Sequence, residues 1–118
     1  MNLQRGGPIP PPVGPGEWEI LCGTREARTG WPELERQAPN NVARAHQVLR
    51  TDPAPATETE RQHRLRGKRL GTGEYKGKVL PQWQYEVTGA GRIWYLVDAD
   101  DHRVIVMHAG PAHPKATE

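Results

Sequence analysis

Hydrophobic and polar residues alternate in the second half of the chain at the period of two that is typical of β-strands. Residues 82–88 (QWQYEVT) carry aromatic and aliphatic side chains on one face and polar side chains on the other. Residues 92–97 (RIWYLV) are apolar on both faces, which indicates a central strand, and residues 103–108 (RVIVMH) predict a second interior strand. Turn sequences at 89–91 (GAG) and 98–101 (DADD) separate them. With one more strand predicted earlier, at 74–80, the pattern predicts an antiparallel meander of three to four strands.

The first half of the chain predicts one strand followed by two or three helices. Residues 17–23 (EWEILCG) alternate and then become apolar, as expected of a strand that packs on a core. Thr24 is a good N-cap, and Gly30 with Pro32 predicts either two short helical pieces or one kinked helix. Another helix with one apolar side is predicted at 39–50. This order predicts an α+β domain with the helices on one face of a small antiparallel sheet.

Length and composition predict one domain with a separate N-terminal arm. The chain has 118 residues, enough for one core. Residues 1–16 (MNLQRGGPIPPPVGPG) are dense in proline and glycine, which predicts a disordered or polyproline-like arm and a domain at 17–118. The only cysteine, Cys22, excludes an intramolecular disulfide and is expected to be a buried strand residue. Since no signal peptide or membrane-spanning run is visible, we expect a cytoplasmic protein that does not bind membranes.

Positive charge is concentrated between residues 61 and 78, although the formal net charge of the whole chain is only +2. Against one acid, Glu74, this stretch carries Arg61, Arg64, Arg66, Lys68, Arg69, Lys76 and Lys78. A basic segment of this density indicates contacts with the phosphates of a nucleic acid. The alternatives are a solvated surface loop and a groove that docks an acidic protein.

The C-terminal part of the chain, RIWYLVDADDHRVIVMHAG, resembles the RelE/ParE superfamily, the toxins of bacterial type II toxin–antitoxin operons. The resemblance rests on the order of several short motifs. After a first strand and a helical pair come an LRG-type element, HRLRG at 63–67, and a strand that begins Arg92-Ile93-Trp94-Tyr95. A final strand leads into a short tail with His113 and Lys115. The resemblance spans roughly residues 18–118.

The resemblance implies a small cytoplasmic toxin whose partner is an antitoxin that wraps its surface in a hetero-oligomer. Members of the RelE branch inhibit translation by cleaving mRNA in the ribosomal A site, without a metal or other cofactor. By position, Arg92 corresponds to the arginine that contacts the scissile phosphate, and His113 and Lys115 correspond to C-terminal catalytic residues. The expected contacts with mRNA or rRNA are made by Arg64, Arg66, Lys68, Arg69, Lys76 and Lys78.

Metal-free RNA cleavage needs a base for the 2′-hydroxyl proton, a cation for the phosphate and an acid for the leaving oxygen. Glu86 or His108 is a candidate for the base, and Arg92 suits bidentate phosphate binding. His113 is the candidate acid, assisted by Lys115. No metal site is expected, because the sequence has no closely spaced ligand pair.

Each of these residues also has a structural alternative. Glu86 could form an ion pair with Lys78 or Arg103 across the sheet. Arg92 could be only a salt-bridge partner at a strand edge, and His108 could have only a structural role at the end of its strand. The strand before Arg92 contains no lysine, whereas RelE-type enzymes often carry several there. Two further functions therefore stay open. One is the gyrase poisoning of the ParE branch, and the other is a degenerate member that only binds its antitoxin.

Overall fold

The computed structural model describes residues 2–111, which form two helices and one six-stranded sheet. In chain order the elements are β1 (Glu19–Cys22), α1 (Arg25–Gln37), α2 (Pro39–Thr51), β2 (Gln62–Arg64), β3 (Thr72–Tyr75), β4 (Lys78–Glu86), β5 (Gly91–Asp98) and β6 (Arg103–Pro111). The strands stand in the order β1-β6-β5-β4-β2, and β3 pairs with the first part of β4. All pairs are antiparallel except β1 and β6, which run parallel. The predicted α+β class is confirmed.

The meander of β4, β5 and β6 forms with its turns where the sequence predicts them. The strand predicted at 74–80 is wrong, because the chain turns at Lys76 and Gly77 and β4 begins at Lys78. Both turn residues have positive φ, of 49° and 83°. Two-residue hairpin turns with positive φ match the natural twist of the flanking strands. The β3–β4 hairpin is therefore tight, and β4 is longer than expected.

Helix α1 runs as one helix through Gly30 and Pro32, so of the two predicted alternatives the two short pieces are wrong. The Thr24 hydroxyl accepts a hydrogen bond from the Ala27 N–H (3.0 Å) and caps the helix as predicted. At Gly30 the helix lies directly on β6, where an added Cβ would overlap the Ala109 carbonyl oxygen. Tertiary packing therefore holds this turn in place. Within the described residues, neither helix is long and apolar enough to cross a membrane.

The N-terminal arm, residues 2–16, differs from the disordered segment that its composition predicts. Its backbone pairs with the outer edge of β1: the Ile9 N–H donates to the Ile20 carbonyl (2.9 Å), and the Cys22 N–H donates to the Gly7 carbonyl (2.9 Å). Leu3 and Ile9 are 6% and 2% exposed and belong to the main core. Two apolar side chains are thus enough to fix a segment that is otherwise proline and glycine, because each is fully removed from water.

A buried histidine, His46 of α2, ties this arm to the helices. Its Nε2 lies 3.1 Å from the Ile9 carbonyl oxygen and its Nδ1 lies 2.9 Å from Nη1 of Arg50. Because the arginine can only donate, Nδ1 accepts and Nε2–H donates to Ile9. Arg50 in turn forms an ion pair with Glu17 at the end of the arm (3.4 Å). His46 therefore has a structural role, because both ring nitrogens are used in contacts within the fold.

The two faces of the sheet are covered differently. Both helices pack on one face, where Trp31, Ile93 and Tyr95 are fully buried. Cys22 is buried in the same core as expected, and burial raises the pKa of its thiol. On the opposite face, called the open face below, the β3–β4 hairpin covers one part. Its own small core consists of Tyr75, Leu80, Leu96 and Ile105.

Candidate functional site

The part of the open face that the hairpin leaves uncovered carries polar side chains on four neighbouring strands. In the sheet register, His63 lies opposite Gln84, which lies opposite Trp94, which lies opposite His108. In the next row Glu86 lies opposite Arg92, and Arg92 opposite Gly110. Residues directly opposite each other share a face, and the Cα atoms of diagonal neighbours such as Arg92 and His108 are about 7–8 Å apart. We call the following set the polar patch: His63, Gln84, Glu86, Arg92 and His108.

A β-bulge in β6 places His108 in this patch. Val106 pairs with Tyr95 and His108 pairs with Trp94, so Met107 is an extra residue between them. With strict alternation, Ile105 and Met107 would share the open face and His108 would point toward the helices. The bulge reverses that order, since one inserted residue turns every following side chain to the other face. His108 is therefore exposed to the open face by a local irregularity.

Thr24 holds the bulge from outside the sheet. Its hydroxyl donates to the Met107 carbonyl oxygen (2.5 Å) and at the same time accepts from the Ala27 N–H. One hydroxyl thus provides the hydrogen-bond partner of a carbonyl in the irregular strand and of an N–H in the first turn of α1. The structure in this way links the start of the helix to the orientation of His108.

We expect Thr24→Ala to destabilise the fold by about 2 kcal/mol, roughly one for the helix cap and one for the Met107 carbonyl left without its partner. Urea denaturation followed by circular dichroism measures this. Thr24→Ser keeps the hydroxyl and should stay within about 0.5 kcal/mol of wild type. Equal stabilities for the alanine and serine variants would contradict the dual role of the hydroxyl.

Arg92 is fixed by contacts at both ends of its guanidinium group. Nη2 lies 3.1 Å from Oε1 of Glu86, and Nη1 donates to the carbonyl oxygens of Thr88 (2.7 Å) and Gly91 (3.1 Å). The ion pair predicted between Glu86 and Lys78 or Arg103 is therefore wrong, because the partner of Glu86 is its cross-strand neighbour. The side chain of Arg92 is 17% exposed and that of Glu86 is 29% exposed, so solvent still reaches both. An anion could approach the pair from the open face.

The aromatic residues near Arg92 are part of the packing. Trp94 is 5% exposed, and its indole N–H donates to Oε1 of Gln84 (2.8 Å). Tyr95 is fully buried, its hydroxyl donates to the Pro53 carbonyl (2.8 Å), and burial raises its pKa. Both are core residues, as expected. His108 packs on Trp94 with the ring centroids 5.8 Å apart, and its Nε2 lies 3.3 Å from the Pro111 carbonyl oxygen.

The predicted basic segment does not form one surface. Arg64 donates to the Gly71 carbonyl (2.9 Å), and Arg66 forms an ion pair with Glu58 (2.9 Å). Lys68 and Arg69 are exposed on the loop that follows β2. The RNA contacts expected of this loop thus fall to its solvent-facing residues, next to the strand that carries His63.

Lys78 begins β4 and Glu86 ends it, up to roughly 27 Å apart along an extended strand, whereas Lys76 lies in the β3–β4 turn. Lys78 is bound to Asp98 (2.9 Å) and Asp101 (3.2 Å), and Arg103 also reaches Asp98 (3.2 Å). Burial alone would raise the pKa of Asp98, but hydrogen bonds from Lys78, the Asp101 N–H and Arg103 outweigh it and lower the pKa. Lys78 therefore serves the β5–β6 turn and is separated from the polar patch.

Two of the predicted site residues, His113 and Lys115, lie outside the described residues. His63 and Gln84 belong to the polar patch although sequence reasoning gave them no role. The signal for Gln84 was its alternation with Glu86, whereas His63 required the register of β2. Among residues 2–111, no three His, Cys, Asp or Glu side chains converge as a metal ion would require.

No protein-family model matches the chain, and no curated protein matches it either. The chemical arrangement of Glu86, Arg92 and His108 therefore carries the functional argument.

Proposed function

We propose that the chain is a toxin of the RelE/ParE type, a ribosome-dependent mRNA endonuclease that an antitoxin protein neutralises. The observation that supports this best is the grouping of Glu86, Arg92 and His108 on one uncovered part of the sheet. A carboxylate, a guanidinium and an imidazole are the groups that cleave RNA by general acid–base chemistry. The proposal includes the RelE/ParE-like topology, the cytoplasmic location and a hetero-oligomer with the antitoxin.

In this proposal Arg92 binds the scissile phosphate. The phosphate competes with Glu86 for the guanidinium, because both are anions that approach the same Nη2 side of the group. Once displaced, the carboxylate of Glu86 is free to take the proton from the 2′-hydroxyl, and His108 is the alternative base. The 2′-oxygen then attacks phosphorus and the bond to the 5′-oxygen breaks. The products are a 2′,3′-cyclic phosphate and a 5′-hydroxyl.

The leaving 5′-oxygen needs a proton, for which His113 is the proposed donor and Lys115 the proposed assistant. Both follow Pro111, which pairs with Gly91, the residue before Arg92. The chain therefore leaves β6 beside the arginine. Arg66, Lys68 and Arg69 are proposed to contact the RNA backbone or the ribosome, since all three are exposed on the same loop.

A second candidate function is inhibition of DNA gyrase by protein contact, as in the ParE branch. One observation favours it: Arg92 already holds the β4–β5 turn through the Thr88 and Gly91 carbonyls and is paired with Glu86. An arginine with these contacts has a complete structural role without any substrate. On this view the polar patch stabilises the sheet and a different surface meets the target.

Inducible expression in a bacterium, with mapping of mRNA 5′ ends, tests the proposal. Wild type is expected to arrest growth and to produce new ends in phase with codons. Arg92→Ala should lower cleavage at least about a hundredfold, as loss of one group that stabilises the transition state commonly does. Arg44→Ala removes an exposed cation from α2 and should leave cleavage unchanged. Thermal unfolding of both variants separates a loss of chemistry from a loss of fold.

Three other outcomes would change the conclusion. Growth arrest with intact mRNA and induced DNA damage would replace the nuclease with the gyrase inhibitor. Cleavage that survives in a folded Arg92→Ala variant would exclude the polar patch as the site. An absence of toxicity would leave only binding to an antitoxin.

A further inference from the structure

Two further cations, Arg5 and Lys76, lie on the open face where the arm meets the tip of the β3–β4 hairpin. A cleft of about 550 Å³ opens there. Its lining residues are Arg5, Gly6, Gly23, Glu74, Tyr75 and Lys76. The arm supplies the first two, the end of β1 supplies Gly23, and the hairpin supplies the rest. The cleft therefore exists only because the arm is ordered.

The hydroxyl of Tyr75 is the feature of this cleft that the fold leaves unexplained. Tyr75 is 7% exposed, and within the described residues its hydroxyl is buried without a hydrogen-bond partner. An unpaired buried hydroxyl costs about 1–3 kcal/mol, so a phenylalanine would be expected at a position with a purely structural role. A Cβ added to Gly6 would lie 3.5 Å from this hydroxyl and 3.9 Å from Nζ of Lys76. Both polar groups thus face the same point of the arm.

The charge of the cleft suits an anion. Arg5 of the arm and Lys76 of the hairpin are exposed cations that line the cleft, and Glu74 is the one acid in its lining. The ammonium of Lys76 lies 5.5 Å from the centre of the Tyr75 ring, so this flexible side chain stands over the ring. A small movement of Lys76 toward an anion would also give the anion access to the hydroxyl. A tetrahedral oxyanion is bound by cations and hydrogen-bond donors, and this cleft has two cations and one neutral donor in its lining.

We infer that this cleft is a phosphate-binding subsite, in which Arg5, Lys76 and the Tyr75 hydroxyl hold one phosphate group of an RNA substrate. The identification of RNA rests on the proposed function; the phosphate chemistry does not. The cleft borders β6, the strand that carries His108 of the polar patch: a Cβ on Gly23 would lie 3.0 Å from Sδ of Met107, the residue before His108. Two strand spacings, about 10 Å, separate β1 from β5 across the sheet. One bound RNA strand can therefore place one phosphate in the cleft and a second phosphate at the polar patch.

Titration of the ¹⁵N-labelled protein with inorganic phosphate, at constant ionic strength set by chloride, tests the subsite. The amide signals of Gly6, Gly23 and Tyr75 should shift together and saturate. Tyr75→Phe should weaken phosphate binding about fivefold, the worth of one hydrogen bond, without lowering the unfolding temperature. That combination separates a ligand contact from a structural one.

Charge variants give matched controls. Arg5→Gln and Lys76→Gln should each weaken phosphate binding severalfold, whereas Glu74→Gln should strengthen it because repulsion is removed. Arg44→Gln changes the net charge equally from a distant helix and should have no effect. The inference is overturned if the three amides do not shift, if Tyr75→Phe binds phosphate as wild type does, or if Arg44→Gln weakens binding as much as Arg5→Gln.

A parallel titration with a 2′-deoxy oligonucleotide, which cannot be cleaved, distinguishes the two sources of phosphate. Shifts at both the cleft and the polar patch support an RNA-strand subsite, whereas shifts from inorganic phosphate alone would overturn the RNA part of the inference. If mRNA cleavage is found but phosphate does not bind the cleft, the proposed nuclease stands and the subsite falls. If phosphate binds but no mRNA is cut, the subsite stands and the nuclease falls.

Discussion

Gly30→Ala is expected to destabilise the fold by a net amount of more than about 3 kcal/mol. The new methyl group would overlap the Ala109 carbonyl oxygen and lie 2.9 Å from its carbonyl carbon. Both are backbone atoms of a central strand, so the neighbour cannot rotate away. Alanine favours a helix over glycine by about 1 kcal/mol, but the overlap should cost more than about 4 kcal/mol and dominates. The net loss is a fifth or more of a typical total stability of about 5–15 kcal/mol. Circular dichroism with urea denaturation measures the change.

Gly89→Ala is the matched control for this substitution. A Cβ at Gly89 meets no atom within 4 Å, and the position needs no left-handed backbone. We expect its stability to stay within about 0.5 kcal/mol of wild type. A Gly30→Ala protein with the unfolding midpoint of wild type would show that α1 does not lie on β6 as closely as described.

Ile9→Ala is expected to destabilise the fold by about 3 kcal/mol, the usual cost of removing a buried isoleucine side chain. If the arm were a flexible tail, Ile9→Ala would not change the stability of the fold. Ile9 is 2% exposed, and its backbone joins the edge of β1 to His46. Removing residues 2–10 should cost more and should also promote aggregation, because the edge of β1 would then be unpaired. Urea denaturation and size-exclusion chromatography measure the two effects.

The same contact predicts how stability depends on pH. Burial lowers the pKa of His46, and the nearby charge of Arg50 lowers it further. In the unfolded chain the imidazole takes up a proton near its ordinary pKa of about 6.5, whereas in the folded protein it takes up a proton only at lower pH. The unfolded state therefore binds more protons below that pH, and stability falls as the pH is lowered. Ile9→Ala loosens the site and should flatten this dependence.

Pro10→Ala provides the control, since Pro10 is exposed beside Ile9. Its stability should remain close to that of wild type at every pH. If Ile9→Ala and Pro10→Ala behave alike, the arm does not contribute to the core.

Much of the fold could be predicted from local sequence because β4, β5 and β6 combine strong alternation with clear turn sequences. The arm could not. Its proline and glycine content predicts disorder. Two apolar residues, Leu3 and Ile9, do not make the segment apolar enough on average to change that prediction. Only the tertiary structure shows that these two side chains complete the core and that the edge of β1 needs a partner.

The candidate site was predictable in part. Alternation predicts that Gln84 and Glu86 share a face, and the resemblance singles out Arg92. The ion pair between Glu86 and Arg92 depends on which residues of β4 and β5 lie opposite each other, which the turn length leaves open. The orientation of His108 depends on a β-bulge in β6, and no residue type in that strand predicts a bulge. Irregular register is a property of the whole sheet, so a local pattern cannot reveal it.

The parallel pairing of β1 with β6 has a consequence for how the protein acquires its structure. Glu19 lies opposite Arg103, so the first strand meets its partner only after most of the chain has been synthesised. Until then β1 and α1 have no central strand to pack on, because β6 stands between β1 and β5. Contacts between residues so distant in sequence slow folding. During synthesis the nascent chain therefore lacks both the β1–β6 pair and the pairing of Arg92 with Gly110 of β6, and both form late in folding.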